Sequence, residues 1–348
     1  MMTLRQMAAK HETIPSVVSW YLADLSEARG KQELFIRQSP QKLKVLREHA
    51  LIESAVSSNR IEGVEVDKAR VGTIMFGKPA LRDRNEEELH GYREALKRIH
   101  ERGADLPISE ETILLLHKLA RGQSGDAGQY KVKNGEIIER YPDGTSRTRF
   151  KPLSALRTPE AIRELVSLWE AELLNHNVHP LILLAAFNLD FLCIHPFRDG
   201  NGRASRLLML LQCYHLGFEV GRYVSLERLI EQNKERYYET LQQSSQGWHE
   251  GDHDPWPYIG YLLFILKTAY REFENRMGRI KSPRGEKSGQ IIQAIDGNLA
   301  AFSVSDIQKQ CPGVSIDMIR LTLKKMRAKG QIECLGRGQS AQWRKTIK

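Results

Sequence analysis

The chain has 348 residues, of which 41% are hydrophobic and 27% are charged, and these values are ordinary for a globular protein. The composition argues against global disorder, and no run of about 18 apolar residues predicts a membrane-spanning helix. The first residues lack the apolar stretch of a secretory signal. The sequence therefore predicts a cytoplasmic protein without a membrane partner, and its 4 cysteines, far apart in the chain, are expected to stay reduced.

The net charge of +9 is concentrated at the carboxyl-terminal end of the chain. Residues 279–348 contain 14 Lys and Arg against 5 Asp and Glu, whereas the remaining residues hold 38 of each sign. A basic module of this kind is typical of nucleic-acid binding. The rest of the chain is neutral and gives no such indication.

Helical patterns dominate the chain up to residue 277, so a mainly α fold is expected. Apolar residues recur at three- and four-residue steps between 40 and 63, and Gly63 can end that helix in the left-handed conformation. Two later segments, 180–194 and 203–218, are apolar on nearly every side. They are predicted to be buried helices.

The pattern changes between residues 128 and 152. The stretches EIIER and SRTRF flank Tyr-Pro-Asp-Gly-Thr, in which Pro142, Asp143 and Gly144 are strong turn residues. The sequence predicts a surface β-hairpin over 136–150.

A linker is predicted over residues 278–287, which are rich in Gly, Ser, Pro and charge. Three helical segments and two short strands follow over 288–348, a pattern typical of a winged helix-turn-helix. The helix with Arg320, Lys324 and Lys325 has the charge of a DNA-contacting helix. An ordinary solvated face, a protein-docking element and a dimerisation element remain alternatives.

The stretch IHPFRDGNGRASR, residues 194–206, places polar and flexible residues between the two buried helices. Gly200, Asn201 and Gly202 open the second helix, whose free amides and dipole favour an anion. Arg203 and Arg206 share one face of the first turn and can bind phosphate oxygens. The segment therefore predicts a phosphate site.

Two further side chains give this site its chemistry. Asp199 lies beside the anion site, where a carboxylate together with phosphates can hold Mg²⁺. His195 is expected to titrate near neutral pH and to serve as a general base. The combination indicates transfer of a phosphate ester from a magnesium-bound polyphosphate.

Other interpretations of the same segment fit less well. A calcium loop would need a distal Glu and alternating oxygen ligands, which are missing. A purely structural histidine would leave the glycines and arginines unexplained. The phosphate loop G-x-x-x-x-G-K-[ST] does not occur in the sequence.

The twelve residues from His195 to Arg206 match the Fic family motif, H-x-F-x-[DE]-G-N-G-R-x-x-R, at every defined position. The chain resembles this family over about residues 40–275. The resemblance implies a Fic-fold helical bundle with a β-hairpin flap. The expected domains are an N-terminal helical region (1–110), a Fic catalytic domain (111–277), the linker (278–287) and the winged helix-turn-helix (288–348).

The resemblance implies a protein adenylyltransferase, which moves AMP from ATP to a Ser, Thr or Tyr hydroxyl of a target protein or of itself. His195 would be the base and Asp199 the Mg²⁺ ligand, and the flap at 136–150 would hold the target. The ATP-binding residues it implies are Gly200, Asn201, Gly202, Arg203, Arg206, Tyr237 and Tyr238, the two tyrosines lining the adenine pocket.

A second motif lies in the helix at about 40–63. Ser58, Glu62 and Gly63 fit the inhibitory pattern [ST]-x-x-x-E-[GN] of the same family. The resemblance implies that Glu62 pairs with Arg206 and so occupies the guanidinium that the γ-phosphate needs. In some relatives the same Glu supports removal of AMP.

Several alternatives stay open at this point. The chain can be a DNA-binding regulator that uses the Fic domain as a nucleotide-gated switch, or an enzyme that also removes AMP. The choice between Ser, Thr and Tyr is open, as are a homodimer and the partner, DNA or protein, of the carboxyl-terminal domain.

Overall fold

The computed structural model describes residues 2–9, 13–38, 40–77, 80–140, 145–279, 286–297, 301–311, 314–336 and 341–346. The chain divides into two compact units, Met1–Met277 and Gly278–Lys348, each with its own core. The boundary predicted at residue 110 lies inside the first unit and stays a prediction. Most of the linker predicted at 278–287 lies outside the described residues.

Helices make up most of the first unit, which confirms the predicted mainly α fold. In chain order they are α1 (Thr3–Ala9), α2 (Ser16–Gln38), α3 (Pro40–Ile61), α4 (Lys68–Phe76), α5 (Arg84–Arg102), α6 (Glu110–Arg121), α7 (Thr158–Asn175), α8 (Pro180–Ile194), α9 (Asn201–His215), α10 (Leu226–Gln232), α11 (Lys234–Ser245) and α12 (Trp256–Arg279). No described helix is both long and apolar enough to cross a bilayer.

Helix α8 lies at the centre of the first unit. Every residue from Leu181 to Ile194 is buried, as expected for a helix that is apolar all round. Pro180 starts it, because proline lacks the amide hydrogen that a first-turn position leaves unpaired. The helix ends at Ile194, and His195 follows in the left-handed conformation with φ 51°.

One charged residue interrupts the apolar sequence of α8. Asp190 is fully buried and accepts hydrogen bonds from Thr3 N (2.8 Å), Leu4 N (3.0 Å) and Trp248 Nε1 (2.7 Å). The carboxylate thereby satisfies two amides in the first turn of α1, which have no partner within their own helix. Asp190 attaches α1 to the centre of the unit.

The helices around the site have side-chain caps at their starts or a glycine at their ends. Asp83 and Ser109 cap α5 and α6, accepting from Glu86 N (2.9 Å) and Thr112 N (3.2 Å). Helix α3 ends at Ile61, and Gly63 has φ +77°, a conformation that glycine adopts at little cost. This end places Glu62 just beyond the last turn of α3.

The predicted hairpin forms from β1 (Ile137–Arg140) and β2 (Ser146–Phe150), which pair antiparallel. The turn at 141–144 lies outside the described residues. Near its base, Phe150 stacks on His249 with ring centroids 5.5 Å apart, and Arg149 Nη2 donates to Tyr238 O at 2.5 Å. The base of the hairpin is therefore attached to α11 and the loop that follows it.

Within its described residues, the second unit contains three helices and a three-stranded antiparallel sheet of strand order β3-β5-β4. Its elements are α13 (Glu286–Gly297), β3 (Phe302–Ser303), α14 (Val304–Gln310), α15 (Ile316–Ala328), β4 (Ile332–Cys334) and β5 (Gln342–Lys345). The two strands expected near the end of the chain are present, and the short β3 was missed. The winged helix-turn-helix interpretation stays a prediction.

Candidate functional site

Hydrogen bonds between the Asn201 side chain and the backbone of Phe197 join the two ends of the loop between α8 and α9. The Asn201 side chain accepts from Phe197 N and donates to Phe197 O, both at 2.9 Å. Phe197 is buried, and its ring stacks on His117 of α6 with centroids 3.6 Å apart. The side chain of Asn201 thus stabilises the loop, whereas its backbone amide belongs to the first turn of α9.

His117 holds the same loop from outside and was not identified from the sequence. Its Nδ1 accepts from Gly128 N at 3.0 Å, so a neutral ring carries its proton on Nε2 and donates it to Asp199 O at 2.9 Å. Burial lowers the pKa of His117 to about 4. The ring is therefore neutral at pH 7 and acts as a structural support.

His195 lies at the end of α8 and faces a groove beside the hairpin. Its Nδ1 is 3.3 Å from Leu192 O, so Nε2 is the nitrogen left to accept a proton. Burial, helped by the charge of Lys131, lowers the pKa of His195 to about 4. The expectation that His195 titrates near neutrality is therefore corrected, and its imidazole is neutral at pH 7.

The amino-terminal end of α9 has the close backbone approach that the glycines predict. Gly200 has φ +81°, and a Cβ there would lie 2.8 Å from Arg121 Cδ. A Cβ on Gly202 would lie only 2.1 Å from Glu62 Oε1. A carboxylate of the same chain therefore already lies against the end of a helix that favours anions.

Arg206 is held by the end of α3. Its Nε donates to Ser58 Oγ (2.9 Å), and its Nη2 donates to Ser58 O (3.0 Å) and to Glu62 Oε1 (2.8 Å). Arg206 is 2% exposed, and its Nη1 has no hydrogen-bond partner among the described residues. A buried donor without a partner is expensive, so this nitrogen fits an incoming anion.

Arg203 has a different partner, Glu88 of α5. Its Nη1 donates to Glu88 Oε2 (2.6 Å) and to Asn59 Oδ1 (3.2 Å), and all of these groups are buried. The sequence offered one signal for Glu88, since it lies four residues before the buried Tyr92 on the buried face of α5. A carboxylate on that face needs a buried cation.

Asp199 is paired with two arginines. Its Oδ2 accepts from Arg84 Nη2 (2.6 Å) and from Arg121 Nη1 (2.9 Å). Burial alone would raise the pKa of Asp199, but the charges of Arg121 and Arg203 outweigh it and lower that pKa. Neither arginine was identified from the sequence.

Asp199 offers a single carboxylate to a metal ion such as Mg²⁺. Among the described residues no three His, Cys, Asp or Glu side chains form a metal-binding group. Mg²⁺ is commonly held by one or two carboxylates, with nucleotide phosphates and water completing its shell. Asp199, whose side chain is 47% exposed beside the amino-terminal end of α9, fits as the protein ligand of such an ion.

The two tyrosines predicted to line the adenine pocket have different surroundings. Tyr237 is buried against Tyr258 and Tyr261, with centroid distances of 6.1 and 5.8 Å. Tyr238 is half-buried; its hydroxyl is 3.4 Å from Ile61 O, and Arg149 lies over its ring at 5.3 Å. Tyr238 is thus near the end of α3 and the base of the hairpin, whereas Tyr237 belongs to the core.

A groove of about 940 Å³ runs between the loop and the hairpin. Its walls include His195 and Asp199 on one side and Ile137 on the other. The groove brings the proposed base to the same surface as the first strand of the hairpin. A segment of another protein can therefore reach His195 from solvent.

Comparison with known proteins first defines the class of domain. Residues 107–213 match the family model described as the Fic/DOC family. This range includes α6, the hairpin and the whole loop with its flanking helices. The central part of the first unit is therefore a Fic domain.

Curated relatives carry the same family name. The chain is 23% identical over 259 residues to the protein adenylyltransferase Fic of Nematostella vectensis, covering 70% of this chain and 55% of that one. It is 23% identical over 192 residues to the protein adenylyltransferase fic-1 of Caenorhabditis elegans, covering 55% and 32%. The chain thus spans a third to about half of the length of these relatives.

Solved structures with a similar fold support the helical Fic fold. A Fic family protein from Desulfovibrio desulfuricans has a TM-score of 0.61 at 23% identity and covers 97% of this chain and 98% of that one. Fic-1 of C. elegans has a TM-score of 0.58 at 19% identity, with coverage of 76% and 74%. At these identities the likeness concerns the fold alone.

Proposed function

We propose that the protein transfers AMP from ATP to a hydroxyl side chain of a protein and that Glu62 inhibits this activity. The observation that carries the proposal is the arrangement along one short loop. A neutral histidine stands at one end. At the other end, a helix amino terminus and the buried Arg206, whose Nη1 has no hydrogen-bond partner among the described residues, form an anion site. This arrangement suits attack on a phosphate ester.

In the proposed reaction, His195 Nε2 accepts the proton of a Ser, Thr or Tyr hydroxyl. The hydroxyl oxygen bonds to the α-phosphorus of ATP, the bond from that phosphorus to the bridging oxygen breaks, and pyrophosphate leaves. The amides of Gly200, Asn201 and Gly202 and the guanidinium groups of Arg203 and Arg206 bind the phosphates. Mg²⁺, bound at Asp199, would neutralise phosphate charge.

The proposed partner is a protein that presents a hydroxyl, or the chain itself. The hairpin at 136–150 can bind an extended segment by adding it as a strand to β1 or β2. The groove then leads its hydroxyl to His195. In this proposal Tyr238 would contact the nucleotide, and Tyr237 would support it. No disulfide joins the four cysteines, all of which lie among the described residues, and this agrees with the reducing cytoplasm that we propose as the protein's location.

The proposed inhibition is a competition for Arg206. Glu62 Oε1 lies 2.8 Å from Arg206 Nη2 and next to Gly202. Its carboxylate therefore occupies the space of a terminal phosphate and neutralises the guanidinium charge that such a phosphate would need. Ser58 holds the same guanidinium in place, and Gly63 ends α3 so that Glu62 can reach it. The same position would let Glu62 orient water for AMP removal, and protein loaded with labelled AMP would reveal that activity.

The first experiment uses ATP labelled at the α-phosphate, Mg²⁺ and the full chain. Without Glu62 the anion site is open, so Glu62→Gly should raise incorporation of label into the chain or an added extract by about tenfold or more. His195→Ala in that background should lower it by about 100- to 10,000-fold. Glu65→Gly, an exposed acidic residue in the next loop, is the matched control and should resemble the wild type.

The results separate the two parts of the proposal. Label that is equally strong in the wild type and in Glu62→Gly would refute the inhibition. No label in any form, despite ATP binding, would refute AMP transfer.

A second candidate function rests on the exposed face of α15. Arg320, Lys324, Lys325 and Arg327 are all exposed there, and such a face suits DNA phosphates. In this alternative the Fic domain is a nucleotide-gated switch. This alternative predicts that the full chain binds duplex DNA. The binding should weaken steeply with salt, respond to ATP and survive His195→Ala.

The open question of a homodimer needs a separate measurement. Sedimentation of the same sample reports whether the chain forms one.

A further inference from the structure

Lys131 is a buried lysine in the segment between α6 and β1. It is 8% exposed, and its Nζ donates to Ile194 O and to His195 O, both at 2.8 Å. Its own amide donates to Pro196 O at 2.9 Å. One residue thus binds three consecutive carbonyl groups around the proposed base.

These carbonyl groups lie where α8 ends. The last carbonyls of a helix have no partner in the helix, and a cation there is favoured by the helix dipole. His195 also has φ 51°, a left-handed conformation that is costly for a residue other than glycine. The bonds from Lys131 stabilise this conformation and so direct the imidazole out of the helix.

A charge balance does not account for the burial of Lys131. Among the described residues, no carboxylate forms an ion pair with its ammonium group. Burial lowers the pKa of Lys131 to about 8. A buried cation is costly unless its hydrogen bonds are made, and here backbone carbonyls provide them. The position of the charge beside His195 is therefore the feature that needs an explanation.

We propose that Lys131 is a positioning residue for the reaction: it fixes His195 in the left-handed conformation and keeps its imidazole in the neutral, proton-accepting form. This inference rests on the proposed AMP transfer. Among the described residues, the hydrogen bonds of Lys131 go to the backbone carbonyls of residues 194–196 and not to the arginines of α9, so it acts through His195.

The charged groups that face His195 act in opposite directions. Lys131, from the segment after α6, lowers the pKa of His195, whereas Glu62 from the end of α3 and Asp199 from the loop raise it. Removal of the Lys131 charge should therefore raise the pKa of His195. The proton-accepting form would then be lost at a higher pH than in the parent.

The test uses the full chain with Glu62→Gly as the active parent. Lys131→Met should lower kcat for AMP transfer about 10- to 100-fold, because a misplaced base loses its near-attack geometry. The KM for ATP should stay within about twofold, and the acid limb of the kcat profile should move to higher pH. Lys131→Arg, which keeps both the charge and the donors, should restore most of kcat.

Lys118→Met, an exposed lysine on α6, is the matched control and should leave kcat and the pH profile unchanged. Melting temperature and the Kd for a non-hydrolysable ATP analogue report whether each variant is folded and binds nucleotide. If Lys131→Met does not fold, Lys131→Gln, which can still donate to one carbonyl, decides the case through the same shift of the acid limb.

The outcomes are distinguishable. A parent that transfers no AMP refutes the proposed function. An active parent with unchanged kcat and acid limb in Lys131→Met or Lys131→Gln refutes the role of Lys131 alone. A loss of kcat with no shift of the acid limb, not restored by Lys131→Arg, would also overturn the proposal, since it would indicate only a structural defect.

Discussion

At the residue scale, burial changes what His195 can do. A solvated histidine is partly protonated at pH 6.5, whereas His195 has a pKa of about 4 because burial disfavours its charged form. A low pKa makes a weaker base but keeps all molecules in the proton-accepting form. We therefore expect the rate of the proposed AMP transfer to stay nearly unchanged in mild acid.

The pH dependence of AMP transfer follows from this shift. In the Glu62→Gly form, kcat should stay nearly constant from pH 8 to about pH 5 and fall only as the pH approaches 4. Removal of Glu62, whose charge raises the His195 pKa, should move the fall lower still. Single-turnover rates between pH 3.5 and 8 measure it, with circular dichroism as the control for folding. A half-maximal rate near pH 6.5 would contradict the expectation.

At the element scale, α8 leads into the loop at its carboxyl-terminal end. Its one carboxylate, Asp190, binds parts of the chain that lie far from the loop. Asp190 binds the first turn of α1 and the indole of Trp248, although about 190 residues separate it from α1. This bond network explains why an acidic residue is tolerated in a helix that is otherwise apolar. Its loss should loosen α1 without changing the loop directly.

Asp190→Ala should lower the free energy of unfolding of the first unit by about 3 kcal/mol, because it leaves buried donors without an acceptor. Urea denaturation measures the loss, and hydrogen exchange should show earlier opening of α1. Asp105→Ala is the control, since its side chain is 67% exposed and its substitution should change stability by less than about 0.5 kcal/mol. Equal stability of the two variants would rule out this role of Asp190.

At the scale of the whole molecule, the two units have separate cores of unequal size. The core of the second unit is small and includes Ile291, Phe302, Ile319 and Leu323. Small domains bury less of their surface on folding and are correspondingly less stable. We expect two transitions on heating, the lower one belonging to the second unit.

Substitutions in α15 test this division. Ile319→Ala removes a fully buried side chain and should cost about 2–5 kcal/mol, lowering only the lower transition. Leu321→Ala, on the same helix but 48% exposed, should shift it little. Scanning calorimetry of the full chain distinguishes the cases. A shift of both transitions by Ile319→Ala would argue against independent cores.

Prediction from the sequence is most direct where the signal is local. The loop residues from His195 to Arg206 are contiguous in the chain, and the end of α3 follows from the nearby Gly63. Glu88, His117 and Lys131 were missed because each meets the loop across a long stretch of chain. Their pairing depends on the packing of α5 and α6, which periodicity does not reveal. The prediction that His195 titrates near neutral pH was wrong for the same reason, since the burial that lowers its pKa is a property of the packed unit.

The position of Glu62 has a consequence for how the chain responds to concentration. Glu62 and Arg206 are joined by the same covalent backbone, so their contact is a unimolecular equilibrium that dilution leaves unchanged. A carboxylate tethered in this way acts at a high effective concentration, and under the proposed inhibition ATP would compete against it from bulk solution. The ratio of occupied to open sites is therefore the same in a cell with few copies of the protein as in one with many.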